Sequence, residues 1–498
     1  MISHVSVQTL RPIPTIIVLT AMIVGVFGIS VLPLPVIAAV LGAAIVAIGT
    51  LIEPGVGLIV TLLVGPWAAW MNTYYPGLLP IDLGQIMVGV TLAAWVLRGL
   101  AHRDLEFPKS PLLLPLLLFV GWAAVTMLWA PDLSFGLPEV VKWIEVVLIM
   151  LFTIDLARRR GIKWIVVAVL ITMVAQAAIG IYEARLRGVG PDGFRISAGV
   201  YRAYGTFEQP NPFGGFIGLG LPIAMALTVF FGLSIVDVGL QSLRSRHHTV
   251  SLSLRTAVKF IGCGAVASLL GLALYLSLSR GAWLGAAAAV GAMIALAPRR
   301  LWIGLGLAGV AVVALIALSS AGLLPATISD RLADATDLLN IRDVRGVPIN
   351  DANYALIERQ AHWQAAVNML TEHPWTGVGF SNYQPAYEQY RLLNWPMPLG
   401  HAHNIYLNVA AETGLPGLTA YLSLWGTIFV VTFRTLRRAH GFERALIIGL
   451  MGIWVHLCVH MLVDNLYVNN AHLIIGTLLG LLVALYNSTA TRRSFHFS

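Results

Sequence analysis

Apolar runs of about 17 to 25 residues recur along the sequence from residue 13 to residue 487. Each run is long enough to cross a hydrocarbon core about 30 Å thick, and a backbone in lipid must satisfy its own hydrogen bonds. The sequence therefore predicts an all-α polytopic integral membrane protein with about 12–14 transmembrane helices. The predicted spans are 13–31, 35–52, 55–71, 82–100, 111–129, 139–156, 164–182, 211–232, 258–277, 281–297, 301–322, 404–432, 445–463 and 472–487.

The composition excludes an ordinary soluble domain. Hydrophobic residues make up 58% of the chain and charged residues only 11%, against about 25% charged residues in a typical soluble domain. No small-residue cleavage site follows the first apolar run, so we expect that run to remain as an anchor. Cys263 and Cys458 both fall inside apolar runs, far apart in sequence, and indicate neither a disulfide framework nor a CxxC metal site.

The net charge of +8 reflects membrane topology rather than nucleic-acid binding, which we do not expect. If the N-terminus is cytoplasmic, twenty of the 31 Lys and Arg residues fall on the cytoplasmic side, and both termini lie there. These are Arg11, Arg98, Arg103, Lys109, Arg158, Arg159, Arg160, Lys163, Arg244, Arg246, Arg255, Lys259, Arg299, Arg300, Arg434, Arg437, Arg438, Arg444, Arg492 and Arg493.

The other eleven basic residues lie on the outer side, against this topological preference, and ten of them are arginine. Arginine binds phosphate bidentately and keeps its charge when desolvated, which indicates an outward-facing anionic ligand. The alternative is that most of them are solvated loop charges paired with nearby acidic residues. The eleven are Lys142, Arg185, Arg187, Arg195, Arg202, Arg280, Arg331, Arg342, Arg345, Arg359 and Arg391.

Residues 323–403 form the one long hydrophilic stretch, and a loop of this length is usually functional. Within it, apolar spacing predicts a helix from a cap at Asn350 or Asp351 through Leu370. Arg359 and Trp363 lie one turn apart on that helix, which suits a charged headgroup at the membrane interface. An amphipathic helix with a snorkelling Arg359 is the alternative.

Two histidines close this loop just before the chain re-enters the membrane, as His401-Ala-His403-Asn404. They admit three interpretations: metal ligands that need a third donor, a general base with one orienting partner, or structural groups bonded to the backbone. The preceding segment, residues 373–383, has two glycines that suit a tight turn rather than a phosphate cradle.

Three further polar groups lie at membrane depth or near it. Arg280 sits in a tight outer turn between two apolar runs, where an unpaired arginine is costly, so an anionic ligand or a carboxylate is expected beside it. Residues 201–212, with Arg202 and a stiff Pro-Asn-Pro turn, are expected to line the same cavity. His456, His460 and Asp464 have helical spacing and either serve a metal or proton path or bond to neighbouring elements and shape the outer cavity.

Several motifs together resemble the O-antigen ligase superfamily, which also holds lipid-linked polysaccharide polymerases and bacterial protein O-oligosaccharyltransferases. They are Gly205-Thr-Phe-Glu-Gln-Pro-Asn-Pro-Phe213, Ser279-Arg-Gly-Ala-Trp-Leu-Gly285, Glu358-Arg359 with Trp363, Pro374-Trp-Thr-Gly-Val-Gly379, and His403-Asn404 with Glu412 and Gly414. The chain departs from the family's pattern at Trp363 and at Glu208-Gln209. It also has more spans than the twelve associated with the ligases. The resemblance covers roughly residues 200–470 and implies a GT-C-like fold.

The resemblance divides the chain into N-terminal helices at 1–200, a ligase-like membrane domain at 201–470 that includes the loop 323–403, and a last helix with a cytoplasmic tail at 471–498. It implies an inner-membrane enzyme with its site facing the periplasm. This enzyme would transfer a glycan, with inversion and without metal or other cofactor, from a polyprenyl-diphosphate donor to an acceptor hydroxyl.

Under this resemblance His403 is the general base, and Arg280 and Arg359 stabilise the leaving diphosphate. The residues expected to bind substrate are Arg202, Asn211, Lys142, His401, Asn404, Glu412, His460 and Asp464. The acceptor is a glycan, a lipid or a protein, and membrane lipids are partners as well. A transporter of a small anion or solute is the alternative of another class, although no inverted repeat or pair of broken helices is recognisable.

Overall fold

A computed structural model describes residues 34–78, 81–244, 254–323, 343–350 and 353–494. The predicted first span, 13–31, lies outside these residues, as do Arg331 and Arg342. The described chain is an all-α polytopic membrane protein, and one short antiparallel hairpin pairs Arg195–Ser197 with Val200–Tyr201. Its helices are α1 (Leu34–Ile52), α2 (Pro54–Val64), α3 (Ala68–Tyr74), α4 (Leu83–His102), α5 (Leu113–Thr126), α6 (Leu133–Arg160), α7 (Ile162–Arg185), α8 (Pro210–Ile217), α9 (Leu221–Arg244), α10 (Leu254–Ser277), α11 (Arg280–Leu296), α12 (Leu301–Ser320), α13 (Tyr354–Glu372), α14 (Tyr383–Tyr390), α15 (Ile405–Arg438), α16 (Gly441–His460) and α17 (Ala471–Ser494).

Within the described residues, nine helices are long and apolar enough to cross a membrane, and three shorter helices are also apolar. Helix α6 has the length of a span but carries seven charged residues, three of them in its last turn. Two of them are satisfied inside the bundle: Glu145 accepts a hydrogen bond from His472 Nε2 at 2.7 Å, and Asp155 accepts one from Trp95 Nε1 at 2.9 Å. Buried charges persist in a bundle when such partners surround them.

The outer loop is partly helical, as predicted, but the helix predicted after Asn350 or Asp351 begins later than the sequence indicated. Helix α13 starts at Tyr354 rather than directly after Asn350 or Asp351. Asn350 and Asn353 instead bond reciprocally, each side-chain oxygen accepting from the other's backbone N–H. This closed turn satisfies the polar groups of both asparagines and delays the helix by about one turn.

The Pro-Trp-Thr-Gly-Val-Gly segment is a structural element, as the sequence indicated. Gly377 and Gly379 both have positive φ, and the segment pairs with the start of α15: Val378 N–H donates to Ala411 O and Gly379 N–H to Glu412 O, each at 2.9 Å. A side chain at Gly377 would put its Cβ 2.2 Å from the Glu412 carbonyl carbon. The outer loop is thereby fixed against the membrane bundle through backbone contacts.

The prediction that Asp464 shares a helix face with His456 and His460 is wrong. Helix α16 ends at His460, and Asp464 lies in the turn that follows. Helix α15, in turn, is broken at Gly414, whose φ of 68° interrupts the helical backbone near its start. Both breaks occur on the side of the bundle where the outer loop packs, so the polar residues there are carried on turns rather than on continuous helices.

Candidate active site

Three turns at helix ends converge on one side of the bundle and carry the candidate site. The first is the turn from α10 to α11, where Leu278 adopts a left-handed φ of 49° and Ser279 caps α11 by accepting from Ala282 N–H at 3.4 Å. Arg280 is thus the first residue of α11 and is half-buried. The capped turn fixes the position of the Arg280 backbone, from which the side chain extends.

The second turn carries His403, immediately before α15. His403 has a left-handed φ of 51°, its N–H donates to His401 Nδ1 at 3.0 Å, and its carbonyl accepts from Trp363 Nε1 at 3.4 Å. Asn404 then caps α15, its side-chain oxygen accepting from Tyr406 N–H and Leu407 N–H. Non-glycine residues at positive φ are uncommon, so this strained conformation is set by the bonds around it and directs the His403 ring.

The third turn, after α16, supplies a carboxylate to His403. Asp464 Oδ1 lies 3.4 Å from His403 Nδ1, within ion-pair distance. Burial acts to raise the pKa of the Asp464 carboxyl, but the contact with His403 and the neighbouring imidazoles hold that pKa below its usual value. Asp464 is therefore ionised at neutral pH and faces the His403 ring, whose Nε2 is the nitrogen turned away from this contact.

Arg359 on α13 adds a second guanidinium beside that of Arg280. Burial lowers the pKa of Arg359, the charge of Asp464 raises it, and the charge of Arg280 lowers it again. These charge interactions place Arg280 and Asp464 in the neighbourhood of Arg359, because such interactions weaken with distance and solvent screening. Guanidinium groups bind phosphate well, so this neighbourhood is the candidate binding region for an anion.

His460 lies behind Arg280 and is almost fully buried, at 1% exposure. A side chain at Gly281 would put its Cβ 2.6 Å from His460 Cδ2, and one at Gly215 would approach the same ring to 3.1 Å. The turn that carries Arg280 therefore packs directly on this imidazole. His460 supports the site from within the bundle.

Arg202 and Asn211 brace the same turn from the other side. Arg202 Nε donates to Ser277 O at 2.9 Å, and its Nη2 donates to Asn211 Oδ1 at 3.1 Å. These bonds tie residues 201–212 to the end of α10, next to Arg280. The prediction that this segment lines a cavity shared with Arg280 stays a prediction, and the structure shows that Arg202 is bonded to the turn that precedes Arg280.

Glu412 lines a separate small cavity of about 60 Å³ beside Gly400 and Ile405, and Lys142 is connected to this cavity through its partner Glu139. Lys142 pairs with Glu139, which lines the cavity together with Glu412 and Asn408. The Glu412 carboxylate accepts from Tyr383 N–H at 3.2 Å, and Asn408 Oδ1 accepts from Ala402 N–H at 3.0 Å. Glu412 thus holds the backbone at the start of α14, Asn408 holds that of the residue before His403, and both contacts are with protein groups.

A cation site is the other arrangement that these residues allow. One donor atom from each of His401, His403 and Asp464 lies within 4.8 Å of the other two. Burial lowers the pKa of His401 to about 3, so its ring is neutral, which is the form that binds a metal ion, but its Nδ1 already accepts from the His403 N–H. The positive charge of Arg359 acts on the same His401 ring and disfavours a cation there.

Sequence reasoning did not select His362, which also belongs to the site. Its ring centre lies 6.2 Å from that of His403, it stacks on Tyr387 at 4.8 Å, and its Nδ1 bonds Tyr383 Oη at 2.9 Å. Burial lowers the pKa of His362 to about 4, with His403 lowering it further. The signal was present in the sequence, because His362 follows Arg359 by three residues on one helix face.

Comparison with protein families gives a match over residues 265–422, to the family described as O-antigen ligase. The match contains Arg280, Arg359 and His403, whereas Arg202 and Asp464 lie outside it. No curated protein matches the chain significantly.

Proposed function

We infer from the match of residues 265–422 to the O-antigen ligase family that this chain is a membrane glycosyltransferase acting on a lipid-linked glycan. More specifically, we propose a polyprenyl-diphosphate-linked donor, an acceptor hydroxyl and inversion at the sugar carbon. The observation that carries the proposal is that three turns bring Arg280 and the His403–Asp464 pair to the same side of the bundle as Arg359 on α13.

In this mechanism the acceptor oxygen attacks the anomeric carbon while the bond from that carbon to the diphosphate oxygen breaks. His403 Nε2 takes the hydroxyl proton, and Asp464 stabilises the imidazolium through Nδ1. The electron pair of the broken bond leaves on the polyprenyl diphosphate. Arg280 and Arg359 stabilise that developing charge, which other glycosyltransferases offset with a metal ion.

We further propose that the chain lies in the cytoplasmic membrane with both termini inside and the site outside. The arginine-rich ends of α4 and α6 support this orientation, because basic residues collect in cytoplasmic loops. Helix α6 has Glu139 near the His403 turn and Arg160 at its other end. The site therefore lies on the side away from the arginine-rich ends, where a donor can enter laterally from the lipid.

The test is a transfer assay in liposomes with a polyprenyl-diphosphate glycan, run with and without EDTA. Arg280→Ala and His403→Ala are each expected to lower the initial rate at least about 100-fold, since each removes a group used in the transition state. Arg345→Ala is the matched control, because Arg345 is exposed in the same outer loop and pairs with Asp343. Transfer should persist in EDTA.

A folded Arg280→Ala or His403→Ala protein with the full rate would remove that residue from the mechanism. Loss of transfer in EDTA, restored by a divalent cation, would replace the arginine mechanism with a metal-dependent one. Supplying a lipid A core, a growing glycan and a serine-containing peptide as alternative acceptors would distinguish a ligase, a polymerase and a protein O-oligosaccharyltransferase.

A further inference from the structure

Two cavities adjoin at the arginine-rich end of α6, far from the candidate active site. One is polar, with a volume of about 310 Å³, and the other is apolar, with a volume of about 360 Å³. Glu53, Leu156 and Arg160 line both, so the two spaces meet at these residues. Arg160 follows Glu139 by 21 residues on the same helix, a distance of roughly 30 Å.

The polar cavity has one wall where positive charge exceeds negative charge. Glu53 is the single carboxylate contacted by both Arg98 and Arg160. Asp155, which also lines the cavity, already accepts from Trp95, Arg158 and Arg159. The wall formed by Glu53, Arg98 and Arg160, here called the Glu53 wall, therefore carries two guanidiniums and one carboxylate. This local excess of one positive charge would be balanced by a monoanionic group in the cavity.

The apolar cavity runs along helices α2, α6 and α7 and is lined by aliphatic side chains, among them Val56, Ile59 and Leu156. Trp164, which is 56% exposed, stands at its edge. Tryptophan favours the boundary between hydrocarbon and headgroups, so this cavity lies where the surrounding membrane supplies acyl chains.

We propose that the two cavities form one binding site for a glycerophospholipid. Its phosphodiester lies against Arg98 and Arg160, and one acyl chain occupies the apolar cavity. A phosphodiester carries the single negative charge that the Glu53 wall lacks, and guanidinium groups bind phosphate oxygens well. Residues 1–33 are the other candidate occupant, but they contain no aspartate or glutamate and cannot supply this charge.

The experiment measures phospholipid binding to the delipidated full-length chain in detergent by native mass spectrometry. The probes are dioleoylphosphatidylglycerol, dioleoylglycerol, which has the same chains without phosphate, and glycerol phosphate, which has no chains. We expect one tightly bound phosphatidylglycerol and at least about tenfold weaker binding of either partial probe. Each lost charge-assisted bond or buried chain changes affinity by about that factor.

Two variants test the two halves of the site separately. Arg98→Gln combined with Arg160→Gln should weaken phosphatidylglycerol binding at least about tenfold, and Val56→Trp should do so by filling the apolar cavity. Arg434→Gln is the matched control, since Arg434 is exposed on the last turns of α15 and is not among the residues lining these cavities. Thermal unfolding verifies that each variant is folded, and if the arginine variant is not, Val56→Trp decides the question.

Three outcomes would overturn the proposal. Equal binding of dioleoylglycerol would mean that the site recognises chains alone. Wild-type binding in the folded arginine variant or in Val56→Trp would place the lipid elsewhere. Binding by a chain lacking residues 1–33, but not by the full chain, would show that this segment occupies the cavity. Because the site lies far from His403, none of these outcomes depends on the proposed transfer reaction.

Discussion

The two groups of arginines in this protein differ in what surrounds them. At the ends of α4 and α6, four arginines form a network with Glu53, Asp104, Glu106 and Asp155, with several contacts near 2.5 to 2.9 Å. On the other side, burial and the charge of Arg280 lower the pKa of Arg359, whereas the charge of Asp464, the carboxylate that faces His403, raises it. In the first group, Arg158 and Arg159 are fully paired with carboxylates, whereas Arg98 and Arg160 have only Glu53 between them.

This difference in charge balance distinguishes arginines that set the orientation of a membrane protein from arginines that take part in its reaction. Arginines that set orientation need only be solvated or paired, and pairing lowers the free-energy cost of placing their charge near lipid. Arginines that must stabilise a leaving diphosphate need to keep their charge directed at a ligand. The local ratio of carboxylates to guanidiniums therefore distinguishes the two roles better than the number of arginines.

Replacing arginine by lysine on the two sides gives the largest expected contrast. Arg280→Lys and Arg359→Lys should each lower the initial transfer rate by about 10²-fold or more, because a point charge cannot hold a diphosphate bidentately. Arg158→Lys, in the network, should change the rate by less than about twofold, since Arg158 is half-exposed and pairs with carboxylates. If Arg158→Lys lowered the transfer rate as much as Arg280→Lys does, the proposed difference between the two groups of arginines would be wrong.

A smaller effect is expected from the residue on which the Arg280 turn rests. Gly281→Ala would bring a Cβ within 2.6 Å of the buried His460 ring, so the turn must shift and the transfer rate should fall by about tenfold. Gly271→Ala on the neighbouring helix α10 is the matched control, because its Cβ would meet no atom within 4 Å. It should leave the rate unchanged and stabilise α10 slightly.

The Gly281 result would be read together with thermal unfolding of both variants in detergent. A Gly281→Ala protein that keeps its melting temperature but loses activity supports a role for His460 in positioning Arg280. A variant with the wild-type rate would show that the turn tolerates the shift, and the support that we assign to His460 would be wrong.

The sequence predicted the fold well because apolar length and charge asymmetry are local properties. Of the site residues, it selected Arg280 and Arg359 because basic residues are disfavoured on the outer side of the membrane. It selected His403 as a candidate base in the outer loop, and the family resemblance pointed to all three. It did not predict the contact of Asp464 with His403, because the helix ends at His460 and the following turn redirects the chain. Nor did it select His362, since only tertiary packing brings that ring beside His403.

The smallest effect that we expect is on stability at low pH. Acid should destabilise the protein through His401, beside the candidate active site, but not through the arginine network at the ends of α4 and α6. Burial, followed by the charge of His403, lowers the pKa of His401 from 6.5 to about 3. Between pH 6.5 and pH 3, the unfolded chain therefore binds a proton at His401 that the folded protein does not bind. The contribution of neutral His401 to the free energy of unfolding is fully present above pH 6.5. It is lost as the pH falls from 6.5 towards 3, at about 1.4 kcal/mol per pH unit at most.

On the arginine side, the hydrogen bond from Arg159 holds the pKa of Asp104 below its usual value, so that carboxylate stays ionised over the same range. Between pH 6.5 and pH 5, the wild-type free energy of unfolding should therefore fall by about 2 kcal/mol more than that of His401→Gln. His440→Gln, at an exposed position before α16, is the matched control and should follow the wild type. Equal slopes for wild type and His401→Gln in denaturant titrations would show that the His401 ring is accessible to protons, and the anion site would then be more open to water than the packing of its turns indicates.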